Sequence, residues 1–150
     1  MILADFKDFP RAGRLLGIDW GRRRIGLAVS DERQEFLFSR PRIDIGKSGL
    51  MPAEKLIAQI AMEEKAAGIV VGLPVRSDGS DSETTKSVRR FAADLAACTD
   101  LPIVFMEENL TSVAAGEKIK DSGIKNADLD SESAAIILEN AISMIKRLKL

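Results

Sequence analysis

Residues 68–72 read Gly-Ile-Val-Val-Gly, a continuous β-branched run, and Leu101 to Met106 forms a second buried-type strand later in the chain. A strand covered on one face alternates apolar and polar residues, whereas an uninterrupted apolar run belongs to a strand covered on both. Such strands sit in sheets with helices packed against each side, so these two runs constrain the chain to an α/β architecture.

The remaining segments supply the partners such a sheet needs. Leu56, Ile57, Ile60 and Ala61 form one apolar stripe and predict a helix over 53–67. Ser80-Asp81-Ser82-Glu83 resembles a capping box. The helix it opens carries Val88, Phe91, Ala92, Leu95 and Ala96 on one face. Thr111 to Lys120 predicts a shorter helix stopped near Ser122-Gly123, and Ala134, Ile137, Leu138, Ala141, Ile145 and Leu148 predict a last one. Ahead of these lie two short apolar runs, Leu15 to Ile18 and Ile25 to Val29. Trp20-Gly21-Arg22-Arg23 supplies the turn of a hairpin between them, and a third strand covers Glu35 to Ile43. Three N-terminal strands followed by helix–strand–helix–strand–helix–helix give a sheet of about five strands.

A length of 150 residues fits one domain with a full core. Residues 1–12 are expected to form a loose leader and 13–150 a single domain. Acids interrupt the apolar start, which argues against a signal peptide. The nearly apolar run Ala66–Val75 is about half of the ~20 residues that cross a bilayer, so a cytoplasmic, membrane-free protein is expected.

With 22 Lys and Arg against 23 Asp and Glu, the net charge is −1, which argues against a globally basic nucleic-acid coat. The chain has no His, which removes His triads, His bases and His metal sites. The single Cys98 excludes an internal disulfide and a Cys-cluster zinc site. Chemistry must rest on carboxylates, hydroxyls, Lys or Arg, or a bound cation.

Ligands of open α/β sheets gather at the carboxyl ends of strands. Asp19 ends the first strand, Glu107-Glu108 end the last, and Asp130 opens the final helix. Carboxylates without His suit a hard cation such as Mg²⁺ or Mn²⁺. Two such ions about 4 Å apart activate water and stabilise the leaving oxygen of a phosphodiester. Spacing leaves open whether these acids meet, and each has a plainer reading. Asp19 can start a turn, Glu108 can favour a helix dipole, and Asp130 can be an N-cap.

Four stretches resemble the motifs of the YqgF/RuvX family of pre-16S rRNA nuclease and Holliday junction resolvase candidates. They are Gly17-Ile-Asp-Trp-Gly-Arg-Arg-Arg-Ile-Gly-Leu-Ala-Val-Ser-Asp31, Gly72-Leu-Pro74 with Asp78-Gly79, Glu107-Glu-Asn-Leu-Thr-Ser-Val-Ala-Ala115, and Asp130-Ser-Glu-Ser-Ala-Ala-Ile-Ile-Leu138. The motifs stand in register from roughly residue 13 to residue 147. The resemblance implies a ribonuclease H-like fold, with three antiparallel N-terminal strands plus two parallel strands flanked by helices. It also implies metal-dependent phosphodiester hydrolysis by in-line attack of activated water, releasing a 3′-hydroxyl. It maps the catalytic and metal-binding acids, with Mg²⁺ or Mn²⁺ as a two-metal cofactor, onto Asp19, Glu108 and Asp130, with Glu107 as second choice. Asn109 replaces the family's usual Arg, and only Lys125 stands where relatives carry a basic cluster before Asp130.

Arg22, Arg23 and Arg24 form a charge run that is either a solvated loop or, beside the acids at the sheet edge, a bidentate holder of phosphates. Arg76 extends this basic track, with Lys86, Arg89 and Arg90 either continuing it or forming a solvated face. Thr111 and Ser112 either cap the following helix or contact substrate. Trp20 either stacks on a base or is a half-buried turn aromatic.

The expected function is processing of the 5′ end of pre-16S rRNA, with the ribosomal small subunit as a partner and a monomer or weak homodimer as the assembly. Alternatives are a resolvase of branched DNA and a catalytically weak nucleic-acid-binding module. A sugar-kinase or actin-like ATPase also opens on an Asp-x-Gly hairpin, but needs a second domain.

Overall fold

The computed structural model describes residues 1–46, 51–109 and 129–148. Its elements in chain order are β1 Arg14–Asp19, β2 Arg24–Ser30, β3 Leu37–Asp44, α1 Ala53–Glu63, β4 Ala66–Val75, α2 Glu83–Ala96, β5 Ile103–Asn109 and α3 Leu129–Arg147. The expected helix over 111–120 falls outside the described residues.

The strands form one sheet in the order β3-β2-β1-β4-β5. The first three are antiparallel, with Ile18 opposite Leu27 and Ala28 opposite Ser39. β1, β4 and β5 are parallel, with Ile18 opposite Val71 and Val71 opposite Phe105. The expected mixed sheet is therefore present. Its two apolar runs became β4 and β5, which are the strands needing cover on both faces.

One face carries α1 and α2 over Leu16, Ile18, Ile25, Leu27, Ile69 and Val71. The other carries α3 over Leu15, Ala28, Val70 and Val104. Two glycines let α3 approach the strands. A Cβ on Gly17 would stand 3.0 Å from both the Ala134 carbonyl and the Leu138 Cβ. One on Gly72 would collide with Ile137.

Three sequence expectations shift. The leader is packed rather than loose: Phe6 and Phe9 are buried in the α3-side core. The Leu3 N–H donates to the Ile103 carbonyl at 2.7 Å, so the first residues run beside β5. Two apolar rings at the sheet's open edge outweigh the polar residues around them. Helix α1 stops at Glu63 instead of running to residue 67, because Lys65 takes a left-handed conformation (φ 55°) and Ala66 pairs with Arg14. The capping box of α2 is Ser82 with Thr85, two residues later than expected. Ser80 is instead held by Asp78, which accepts its N–H at 2.9 Å and its hydroxyl at 2.6 Å.

Candidate active site at the carboxyl edge of the sheet

Along β1, Leu15 packs into the core under α3 and Gly17 touches α3 directly. Side chains two apart on a strand share a face, so Asp19 projects on the α3 side, past the helix's closest approach. Val104 and Met106 of β5 also face α3, which places Glu108 on this side. Glu107 takes the opposite face and is exposed.

Register fixes the relation of the two acids. Ile18 is level with Val71, so Asp19 is level with Gly72 and hence with Met106. Glu108 lies two residues beyond that level and two strands across, roughly 10 Å laterally. Carboxylates reaching inward from both sides would face each other across this gap. Carboxylate oxygens of this kind suit hard cations such as Mg²⁺ or Mn²⁺.

Glu108 is half-buried, and this desolvation holds its carboxyl above the usual glutamate range. A side-chain hydrogen bond from Asn140 on α3 pulls it part of the way back. A desolvated carboxyl disfavouring its own charge is suited to a cation that restores the anion. Asn140 was not singled out in the sequence. Its only signal is a polar residue three positions after Ile137, on the flank of the α3 apolar stripe.

Asp130 is placed by its backbone as the second residue of α3, and its side chain lies outside the described residues. The neighbouring Ser131 is buried, and its hydroxyl donates to the Arg40 carbonyl of β3, anchoring the helix start over the antiparallel half of the sheet. Among the described residues, no group of three Asp, Glu, His or Cys side chains could hold a metal ion. Thr111, Ser112 and Lys125 also lie outside the described residues.

The basic residues separate into two sets. Arg22, Arg23 and Arg24 are exposed in the β1–β2 turn and at the start of β2, beside Asp19. Gly21 makes this turn possible, since a Cβ there would meet the Arg24 carbonyl at 2.7 Å. Arg76 is exposed where β4 leaves the sheet, between the Asp19 and Glu108 strands. On α2, by contrast, Lys86 pairs with Glu83 at 3.5 Å and Arg89 with Asp81 at 3.1 Å. Arg89 also lies over the Phe105 ring, 5.6 Å from its centroid. Trp20 packs against the core beside Phe91, with ring centroids 6.3 Å apart, so it serves as a packing residue. Asp31, which ends the first motif, accepts the N–H groups of Glu35 and Phe36 at 2.7 and 2.9 Å and shapes the β2–β3 turn.

A family model described as RuvX, Holliday junction resolvase, matches residues 13–144. A candidate pre-16S rRNA nuclease of Maridesulfovibrio salexigens is 42% identical over 130 residues, covering 84% of this chain and 95% of that protein. Another from Rickettsia rickettsii is 31% identical, covering 99% and 100% of the two chains. Among solved structures, Thermus thermophilus RuvC in complex with a Holliday junction substrate aligns with a TM-score of 0.55 at 12% identity, over 91% of this chain and 97% of that one. The fowlpox virus Holliday junction resolvase aligns with a TM-score of 0.52 at 12% identity, over 90% and 99%. At these identities the likeness is one of fold, the ribonuclease H-like fold.

Proposed function

Because the chain belongs to the RuvX family, we propose that it is a metal-dependent nuclease that trims the 5′ end of pre-16S rRNA in the cytoplasm, on or near the small ribosomal subunit. The observation that carries this reading is the placement of Asp19 and Glu108 on one face of the sheet, at one edge, under the same helix. Asp19, Glu108 and Asp130 would hold one or two Mg²⁺ or Mn²⁺ ions. Such ions supply an activated water and stabilise the charge that develops on the scissile phosphate.

The chain's own groups do the rest. Asp19 and Glu108 present anionic oxygens from two strands whose register is fixed by the ladder, so their spacing is preorganised. Asn140 orients the Glu108 carboxyl. Arg22, Arg23, Arg24 and Arg76 flank the acids and hold phosphates of the substrate strand, which offsets the repulsion between nucleic acid and the acidic centre. Thr111 is carried as a further substrate contact on the family resemblance alone.

The test is cleavage of a pre-16S 5′ leader RNA, a four-way DNA junction and an unstructured strand, each with Mg²⁺, Mn²⁺ or chelator. Metal-dependent cleavage of the leader RNA supports the reading. Preference for the junction moves the assignment to a resolvase, the reading favoured by the fold it shares with RuvC. Salt-dependent binding without metal-dependent cleavage makes it a binding module.

A further inference from the structure

The sheet's antiparallel half extends beyond the acids and builds a second polar feature there. Arg24 opens β2 directly opposite Asp44, the last residue of β3. Arg42, two residues before Asp44, donates from Nε to the Asp44 Oδ1 at 3.1 Å. The Ile45 N–H donates to the Arg23 carbonyl at 2.8 Å, tying the end of β3 to the β1–β2 turn. Arg23, Arg24, Arg42, Asp44 and Ile45 line a hollow of about 460 Å³.

The pleat fixes which way this hollow faces. Ile25 and Ile43 point into the core under α1 and α2. Their neighbours Arg24, Arg42 and Asp44 therefore project on the α3 side, the side of Asp19. Asp19 is opposite Gly26, two residues from Arg24. From β1 to β3 is two strand spacings, roughly 10 Å.

Three guanidinium groups around one carboxylate leave the hollow cationic. Guanidinium forks match phosphate oxygens in shape as well as charge. A partly exposed pair such as Arg42–Asp44 contributes little to folding, so stability gives little reason for it. A contact through Nε fixes the plane of the Arg42 fork.

Resting on the nuclease reading, we propose that Arg42, oriented by Asp44 and flanked by Arg23 and Arg24, binds a phosphate of the substrate strand that flanks the scissile phosphate on the β3 side. The enzyme then requires substrate to continue past the cut in that one direction. Nuclease activity with this subsite is an activity on an internal or extended position, not on a strand end bound only at Asp19.

Arg42→Ala, Arg42→Lys, Asp44→Ala and the Arg42→Ala/Asp44→Ala double variant test this. Binding of fluorescein-labelled leader RNA and four-way DNA junction is followed by anisotropy across a salt series, and cleavage is measured on substrates trimmed stepwise on either flank. Arg42→Ala is expected to weaken binding about tenfold at 0.1 M salt and to lower the salt slope by about one. KM rises while kcat holds, and the loss disappears once the substrate is trimmed on one flank only. Arg42→Lys restores the slope and not the full affinity. Asp44→Ala has a smaller effect that is absent in the Arg42→Ala background. Unchanged binding and slope in a folded Arg42→Ala protein, or an equal loss on all trimmed substrates, overturns the subsite while leaving the nuclease reading intact. Wild-type protein that neither binds nor cleaves overturns both.

Discussion

Burial holds the Glu108 carboxyl above the usual glutamate range, and the Asn140 hydrogen bond offsets only part of that cost. A raised carboxyl pKa in the folded state means that this group favours folding most at acid pH, below its unfolded value of 4.5, and that the benefit is lost as pH rises through the folded value. At neutral pH and without divalent cation, Glu108 is therefore a charged group in an unfavourable place. Glu108→Gln is expected to raise the Tm at pH 7 in chelator, with the difference shrinking as the pH falls toward 4.5 and below. Adding Mn²⁺ should raise the wild-type Tm and leave the variant's unchanged. A variant no more stable than wild type at pH 7 would contradict the burial cost. Asp19→Asn should lower metal-dependent cleavage by more than the 10- to 100-fold typical of residues behind a metal ligand, with the Tm retained. Asn140→Ala should fall within that 10- to 100-fold range and weaken Mn²⁺ binding measured by calorimetry.

Among the elements, α3 does most to define the site, since it crosses the face on which the acids stand and rests on Gly17 and Gly72. Gly72→Val would drive methyl groups into Ile137 and is expected to cost about 1–3 kcal/mol, read as a lowered urea midpoint. Cleavage should fall with it, because lifting α3 moves Asn140 away from Glu108. Loss of stability with unchanged activity per folded molecule would show that the helix position does not set the acid geometry. α2 plays a different part: its Lys86 pairs with Glu83, and its Arg89 holds Asp81 and lies over the Phe105 ring, on the layer opposite the acids.

For the whole molecule, the first residues complete the parallel edge of the sheet. Phe9 is 2% exposed, and its ring fills the space above Gly68, where a Cβ would stand 2.7 Å from it. Phe9→Ala is expected to destabilise by about 3–5 kcal/mol, seen by denaturant unfolding, while cleavage per folded molecule is unchanged because the ring packs far from the carboxyl edge. The net charge of −1 also acquires a spatial meaning. Arg22, Arg23, Arg24 and Arg76 flank the acids, whereas Glu83 on α2 and Asp81 just before it are paired with α2's Lys86 and Arg89. No helix of the described residues is long and apolar enough to cross a membrane.

The sequence by itself determined the fold class, the order of the elements and the identity of the candidate acids. Those features are written in local signals: a continuous β-branched run at 69–71, a 3.6-residue stripe from Val88 to Leu95, and acids where the first and last strands run out, Asp19 and Glu107-Glu108. Which acids share a face was not legible, because the choice between Glu107 and Glu108 depends on the pleat of β5 relative to α3. The burial of Phe6 and Phe9, the bond from Asn140 to Glu108 and the meeting of Arg24 with Arg42 were equally out of reach. Each joins residues far apart in the chain, and only strand register and helix placement bring such residues together.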